Sequence, residues 1–207
     1  MRRYTFVILI LFFSFAWLTG CESGPHIAPL GQDAVVLAFG DSLTYGTGSS
    51  EGQSYPEVLG ELLGRRVINA GIPGEVSSDG LKRLPGVLDS YNPTLVILCH
   101  GGNDFLRRLD QEDTIHNLNA MIRLIRARGA DAILVGVPKL GFGLQVPKFY
   151  STIAKEFTIP FESDILLDLL GDNSMKSDSI HPNATGYRLM AGVIYKVINK
   201  AQNQGIH

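Results

Sequence analysis

Long basic runs, paired cysteines, a glycine-rich phosphate loop and histidines at metal-ligand spacing are all scarce or missing in this chain of 207 residues. No stretch of Lys or Arg is longer than a pair, and the formal net charge is −2. Cleavage before Cys21 would remove Arg2 and Arg3 and leave 16 basic residues against 20 acidic ones, a balance of −4. Proteins that bind nucleic acid carry a basic patch or stripe, so no nucleic-acid partner is expected. The chain has two cysteines. Cys21 ends an N-terminal apolar stretch and Cys99 closes the apolar run Thr94–Cys99, so no disulfide is expected. The histidines lack the spacing of a metal site, and no dinucleotide-type glycine loop follows the first strand-like segment; neither metal nor cofactor is expected. Internal repeats and low-complexity tracts are absent as well, and the length suits a single domain, expected to be a monomer.

What is present begins with an export signal. Met1-Arg2-Arg3 is a short positive start, Phe6 to Leu18 is almost unbrokenly apolar, and Leu18-Thr19-Gly20-Cys21 closes the segment with small residues. That is the anatomy of a signal peptide, and the apolar part falls short of the roughly 20 residues a membrane-spanning helix needs. Leu-Thr-Gly-Cys also resembles the bacterial lipobox. The resemblance implies that residues 1–20 are removed and that Cys21 is lipidated, giving an exported lipoprotein held to a membrane surface that faces the periplasm or cell exterior. Residues 22–33, with Gly24, Pro25, Pro29 and Gly31 and little hydrophobic pattern, read as a tether, and the domain as residues 34–207.

Within the domain, aliphatic runs at Val35–Phe39, Arg66–Ala70, Thr94–Cys99 and Ala132–Val137, and a weaker one at Thr158–Phe161, read as buried strands. Segments with helical spacing lie between and after them, at Tyr55–Leu63, Ser78–Leu88, Thr114–Arg128, Pro147–Phe157 and Asn183–Asn199. Alternation of this kind predicts βαβ units, and so a parallel sheet inside a three-layer α/β/α sandwich. Ligands bind beyond the carboxyl ends of such strands, which is therefore where chemistry is sought.

The first strand runs into Gly40-Asp41-Ser42-Leu43-Thr44, the second into Asn69-Ala70-Gly71-Ile72-Pro73-Gly74-Glu75, and the third into Gly101-Gly102-Asn103-Asp104. Near the C-terminus, Asp178-Ser179-Ile180-His181-Pro182 puts a carboxylate three residues before an imidazole. These four blocks, in this order and at these positions, resemble those of the SGNH/GDSL hydrolases, and Gly102-Asn103-Asp104-Phe105-Leu106-Arg107 is closest to the bacterial thioesterase, lysophospholipase and arylesterase branch. The resemblance implies a flavodoxin-like sheet of five parallel strands. It implies that Ser42 attacks an ester or thioester carbonyl, with His181 as its base and Asp178 orienting the imidazole. It also implies an oxyanion hole built from the N–H groups of Ser42 and Gly71 and the amide of Asn103.

The chemistry calls for this set. A protonated hydroxyl is a poor nucleophile until a neighbouring imidazole takes its proton, and a carboxylate on the other ring nitrogen fixes the tautomer. Asp41 and Asp104 are expected to brace the loops through hydrogen bonds. His100, standing where the branch usually carries an aliphatic residue, is either a buried, satisfied imidazole or part of the pocket. Pro73 and Gly74 form a candidate substrate loop, and Leu140, Phe142 and Leu144 a candidate acyl-contacting wall. The small-molecule partner is then a lysophospholipid, acyl thioester or aryl ester. Removal or transfer of acetyl groups on cell-envelope sugars would use the same residues, and a non-catalytic binding lipoprotein holding a nucleotide or flavin is the alternative from another class.

Overall fold

A computed structural model describes residues 24–139 and 143–204. Cys21, the apolar segment before it, Leu140 and Phe142 lie outside the described residues. Five strands, β1 (Val35–Gly40), β2 (Arg66–Gly71), β3 (Leu95–Cys99), β4 (Asp131–Val135) and β5 (Phe161–Glu162), form a sheet in the order β2-β1-β3-β4-β5. Each pairing is parallel. This is the flavodoxin-like order, which reverses direction between β1 and β3 and opens a crevice at their carboxyl ends. Both faces of the sheet are covered, so its strands bury both alternating sets of side chains. That is why Val36–Phe39 and Leu95–Cys99 are apolar without interruption.

Helices α2 (Tyr55–Leu63) and α8 (Ala184–Gln204) pack together on one face, and α3 (Ser77–Tyr91) against α5 (Gln111–Ala127) on the other. Helix α6 (Phe149–Glu156) packs on α5 and β4. Three further α-helices lie among the described residues. α1 (Ser42–Tyr45) and α4 (Gly102–Leu106) are single turns grown directly from the ends of β1 and β3, and α7 (Ile165–Gly171) packs on α8. α7 buries Ile165, Leu166, Leu169 and Leu170, a recognisable i, i+1, i+4, i+5 pattern. β5 starts at Phe161 rather than Thr158 because the chain is still leaving α6 there. Thr158 has φ 49° and the Ile159 N–H donates to Ala154 O, so neither is extended in the sheet.

Residues 24–33 do not hang free as a tether. Ile27 is 1% exposed and sits in the main core. Its N–H donates to Ala201 O of α8 at 3.4 Å. The Ala28 N–H donates to Asp131 Oδ2 at 2.7 Å, the Leu30 N–H to Gln202 Oε1 at 2.8 Å, and Arg65 Nε to Gly31 O at 2.7 Å. The folded body therefore begins well before Ala34, as a strap across the end of the sheet where the strands start. Two isolated apolar residues among Gly and Pro make no period, which is why the sequence reads as a linker.

The loop after β2 is fixed from beneath. Ile72-Pro73-Gly74-Glu75 closes as a type II turn, with the Glu75 N–H donating to Ile72 O at 3.2 Å and Gly74 at φ 78°, the conformation that calls for glycine after proline. The Glu75 carboxylate turns inward and receives Arg83 Nε at 2.6 Å, Arg83 Nη2 at 2.8 Å and His100 Nε2 at 3.1 Å. Arg83 also donates to Gly40 O and Ala70 O, the ends of β1 and β2, and lies 4.0 Å over the Phe39 ring. Burial alone would raise the Glu75 carboxyl, but the hydrogen bonds from His100 and Arg83 outweigh it and hold it below its usual range.

Two outcomes follow for stability. Ile27→Ala, which empties a core position filled by the strap, should cost about 2–4 kcal/mol in urea unfolding, whereas a mere tether would give no change. For Glu75, a folded-state value below the unfolded one means that the unfolded chain binds more protons, so stability rises with pH across that window. The gain is complete above the unfolded value of about 4.3 and fades as pH falls through the folded value. Glu75→Gln should flatten this rise below about pH 5 and cost about 2–3 kcal/mol at pH 7, read from urea midpoints across pH.

Candidate active site

The site is assembled from strand ends. Gly40 closes β1 where space runs out: a Cβ there would lie 2.1 Å from Cys99 O and 2.3 Å from Thr44 Oγ1. Directly after it, Asp41 caps α1, its Oδ1 accepting the Leu43 N–H at 3.0 Å. Ser42 is the first residue of α1 and so has an N–H with no intrahelical acceptor. After β3, Gly101 (φ 109°) turns the chain into α4 and brings Asn103 to the same crevice. Asn103 Nδ2 donates to Asp41 Oδ2 at 3.2 Å and to Glu75 O at 3.0 Å, joining all three strand-end loops.

The fourth piece comes from the loop before α8. Asp178 Oδ1 accepts the Ile180 and His181 backbone N–H groups at 2.8 and 2.9 Å, folding the loop into a tight turn. Ser177 N–H donates to His181 O, and Asn183 Nδ2 donates to Ser174 O and Lys176 O, closing the turn from outside. The His181 ring then spans two partners: Nδ1–H donates to Asp178 Oδ2 at 2.7 Å, and the Ser42 hydroxyl donates to Nε2 at 3.0 Å. Burial would raise the Asp178 carboxyl, but hydrogen bonds from the His181 ring and the two backbone N–H groups prevail and hold it below the ordinary carboxylate range. A group that stays ionised in this way keeps the imidazole proton on Nδ1 and leaves Nε2 open to accept.

Ser42, Asn103, Asp178 and His181 are thus brought together; Gly71 is not. The Ile72 N–H donates to Gly40 O across β1 and β2, so the neighbouring Gly71 N–H points the other way, to the open edge of the sheet, where Asn69 Oδ1 accepts it at 3.0 Å. Gly71 is glycine for another reason: a Cβ there would lie 2.1 Å from the Tyr45 backbone nitrogen, where α1 rests on β2. Gly74 is the better placed donor. Its N–H takes no part in the turn's own hydrogen bond and has no acceptor among the described residues, while Arg107 Nη2 holds its carbonyl at 2.7 Å. The adjacent Glu75 carbonyl touches Asn103, which ties this turn to the site. The Pro-Gly pair, a turn signal in its own right, was the clue in the sequence.

Ser42 and His181 open into a cleft whose apolar walls are Leu43, Phe105 and Leu106 of α4, Val137, Pro138, Leu170 of α7 and Ile180. The enclosed part is small, ≈ 60 Å³. Of the acyl-contacting wall expected at Leu140, Phe142 and Leu144, Leu144 alone lies among the described residues. Leu144 is half-buried and does not line the cleft, and Pro73 does not reach it. Helix α4 supplies more of the lining than any other element, and α7, unread in the sequence, adds Leu170.

The flanking acids are buried braces. Asp104 accepts the Ser77 N–H at 2.9 Å, the Ser77 hydroxyl at 2.5 Å and the Thr114 hydroxyl at 3.3 Å, linking α3, α4 and α5. Burial pushes the Asp41 carboxyl above its usual value, against the opposing pull of His100, the Leu43 N–H and His181. His100 is fully buried and fully satisfied, Nε2 facing Glu75 while Nδ1 accepts the Gly101 N–H at 3.1 Å. It lies beneath the loops rather than in the cleft.

Comparison with known proteins agrees with this geometry. Residues 38–189 match the model of the GDSL-like Lipase/Acylhydrolase family. Thioesterase 1/protease 1/lysophospholipase L1 of Escherichia coli (strain K12) is 30% identical over 176 residues, covering 81% of this chain and 85% of that protein. Esterase TesA of Pseudomonas aeruginosa is 31% identical over 178 residues, covering 80% and 88%. The crystal structure of the psychrotrophic esterase EstA from Pseudoalteromonas sp. superimposes with a TM-score of 0.73 at 25% identity, covering 83% of this chain and 100% of that one. A match that runs from β1 into α8, over a sheet of the same fold, makes this chain a member of the GDSL-like lipase/acylhydrolase family, the SGNH hydrolases.

Proposed function

We propose that the chain is a serine hydrolase of carboxylic esters and thioesters that works through an acyl-enzyme on Ser42. The observation that carries this is the unbroken relay from the Ser42 hydroxyl through His181 to Asp178, with contacts of 3.0 and 2.7 Å, opening on an apolar cleft. As Ser42 Oγ bonds to the substrate carbonyl carbon, its proton passes to His181 Nε2, and Asp178 stabilises the imidazolium. The carbonyl oxygen becomes an oxyanion, which the Ser42 N–H, the Gly74 N–H and one N–H of Asn103 are disposed to receive. Asn103 must exchange one of its two present acceptors for that oxygen, and the Asp41 contact is the longer. The bond to the leaving oxygen or sulfur then breaks as His181 returns the proton. Water repeats the sequence on the acyl-enzyme and frees Ser42.

The relatives named thioesterase, lysophospholipase and esterase support acyl esters or thioesters as substrates. So does the cleft, whose apolar walls suit an acyl chain better than a sugar hydroxyl face. We also propose, from the sequence of residues 1–21, that the protein is exported and lipidated at Cys21. A Cys21→Ala chain that still takes up labelled fatty acid in growing cells would remove that assignment.

Two sets of measurements test the catalytic reading. Over p-nitrophenyl esters of rising chain length, kcat/KM should climb about tenfold from acetate to butyrate, two methylenes at about 0.8 kcal/mol each, and vanish in Ser42→Ala. A preference for acetate with longer chains refused would favour acetyl-sugar chemistry instead. Asn103→Ala should lower kcat by about 10²–10³ with KM little changed. Gly74→Ala, strained at its positive φ, should lose kcat with a modest drop in Tm, whereas Gly71→Ala, which drives a carbon into the α1 backbone, should lose more Tm and less kcat. The reverse pattern would return the donor role to Gly71.

A further inference from the structure

The strap and the cleft lie at opposite poles of the molecule. All five strands run the same way, so the ends that carry Ser42 and Asn103 form one pole and the starts of the strands the other. Helix α8 measures the distance between them. It begins at Ala184, three residues after His181, and runs 21 residues to Gln204, which at about 1.5 Å per residue is roughly 30 Å. The strap is bound to its far end through Ala201 and Gln202, and a side-chain carbon on Gly24 would lie 3.8 Å from Gln204 Oε1. Three residue steps separate Cys21 from Gly24. Whatever path they take, they span at most about 11 Å at about 3.6 Å per residue.

A lipid on Cys21 is therefore held within about a third of the molecule's height from the pole opposite the cleft. A flexible linker between anchor and domain would let the domain turn over, but the strap removes it: Ile27 is buried, and hydrogen bonds at Ala28, Leu30 and Gly31 follow in succession. We propose that the anchored protein turns its cleft away from the bilayer that holds it, and that its substrate is an ester or thioester arriving from the aqueous side. A lysophospholipid of the anchoring leaflet is then out of reach. This rests on the lipidation of Cys21 and on Ser42 as nucleophile, as proposed above.

The test uses the full chain, produced and processed in a lipoprotein-exporting bacterium and inserted into preformed phospholipid vesicles. It is compared with a variant carrying 30 Gly/Ser residues between Glu22 and Ser23, whose root-mean-square reach of about 30 Å would let the cleft come down to the membrane. Each is exposed to a water-soluble fluorophosphonate and, separately, to a fluorophosphonate borne on the headgroup of a phospholipid in the same vesicles. Both chains should label equally fast with the soluble reagent, and the lengthened chain at least tenfold faster with the bilayer-borne one. Equal labelling by the bilayer-borne reagent would overturn the proposal. No Ser42-dependent labelling by the soluble reagent would instead defeat the hydrolase reading, and no fatty acid on Cys21 the anchor reading, each recognisable apart from the orientation itself.

Discussion

A carboxylate deprived of water must be surrounded by donors, and the way Asp41 meets that demand organises the site. One oxygen accepts the Leu43 N–H and so starts the helix that carries Ser42. The other accepts Asn103 from the end of β3, whose amide also holds Glu75 O of the loop after β2. Three segments that are 62 and 28 residues apart from Asn103 in sequence are thereby held in one arrangement. Because a buried charge without partners is so costly, the nucleophile and the oxyanion donors can shift only together. The loops that carry the donors are thereby fixed before substrate arrives, and only the Asn103 side-chain amide has to exchange an acceptor for the oxyanion.

Beneath this layer lies a second one. Arg83 stands on the ring of Phe39 and spans the ends of β1 and β2, and its ion pair with Glu75 keeps the Pro73-Gly74 turn down against the sheet. His100, directly after β3, completes it with a ring whose two nitrogens are both used. An aliphatic residue at that position would leave Glu75 Oε2 with Arg83 Nη2 alone. The imidazole and the acid therefore make sense as a pair, and neither has to touch the substrate to matter for it.

Much of this was legible in the sequence because it is local or periodic. Uninterrupted apolar runs marked the buried strands, and the blocks at Ser42, Asn103 and Asp178 to His181 announced themselves as polar residues where strands end or a helix is about to begin. Failures came where a contact has no local signature. Ile27 looks like an accident until α8 is seen beside it, and α7 is a short helix beyond the last strand, where no element is expected from the sequence. Gly71 was misread because both glycines of its block are unusual in composition. Only the alternation of hydrogen bonds along β2 reveals that one N–H faces the sheet's edge, and only the left-handed φ of Gly74 shows why a glycine stands there.

The strap also bears on the order in which the chain is completed. Its partners on α8 lie far along the chain, with Leu30 and Gln202 separated by 172 positions. Contacts of such long range form late, since the intervening loop must first be closed. A chain emerging amino-terminus first therefore presents Ile27 uncovered until α8 has arrived, and this end of the sheet is sealed by a contact between two distant segments. A chain built this way stays loosely closed until α8 is in place.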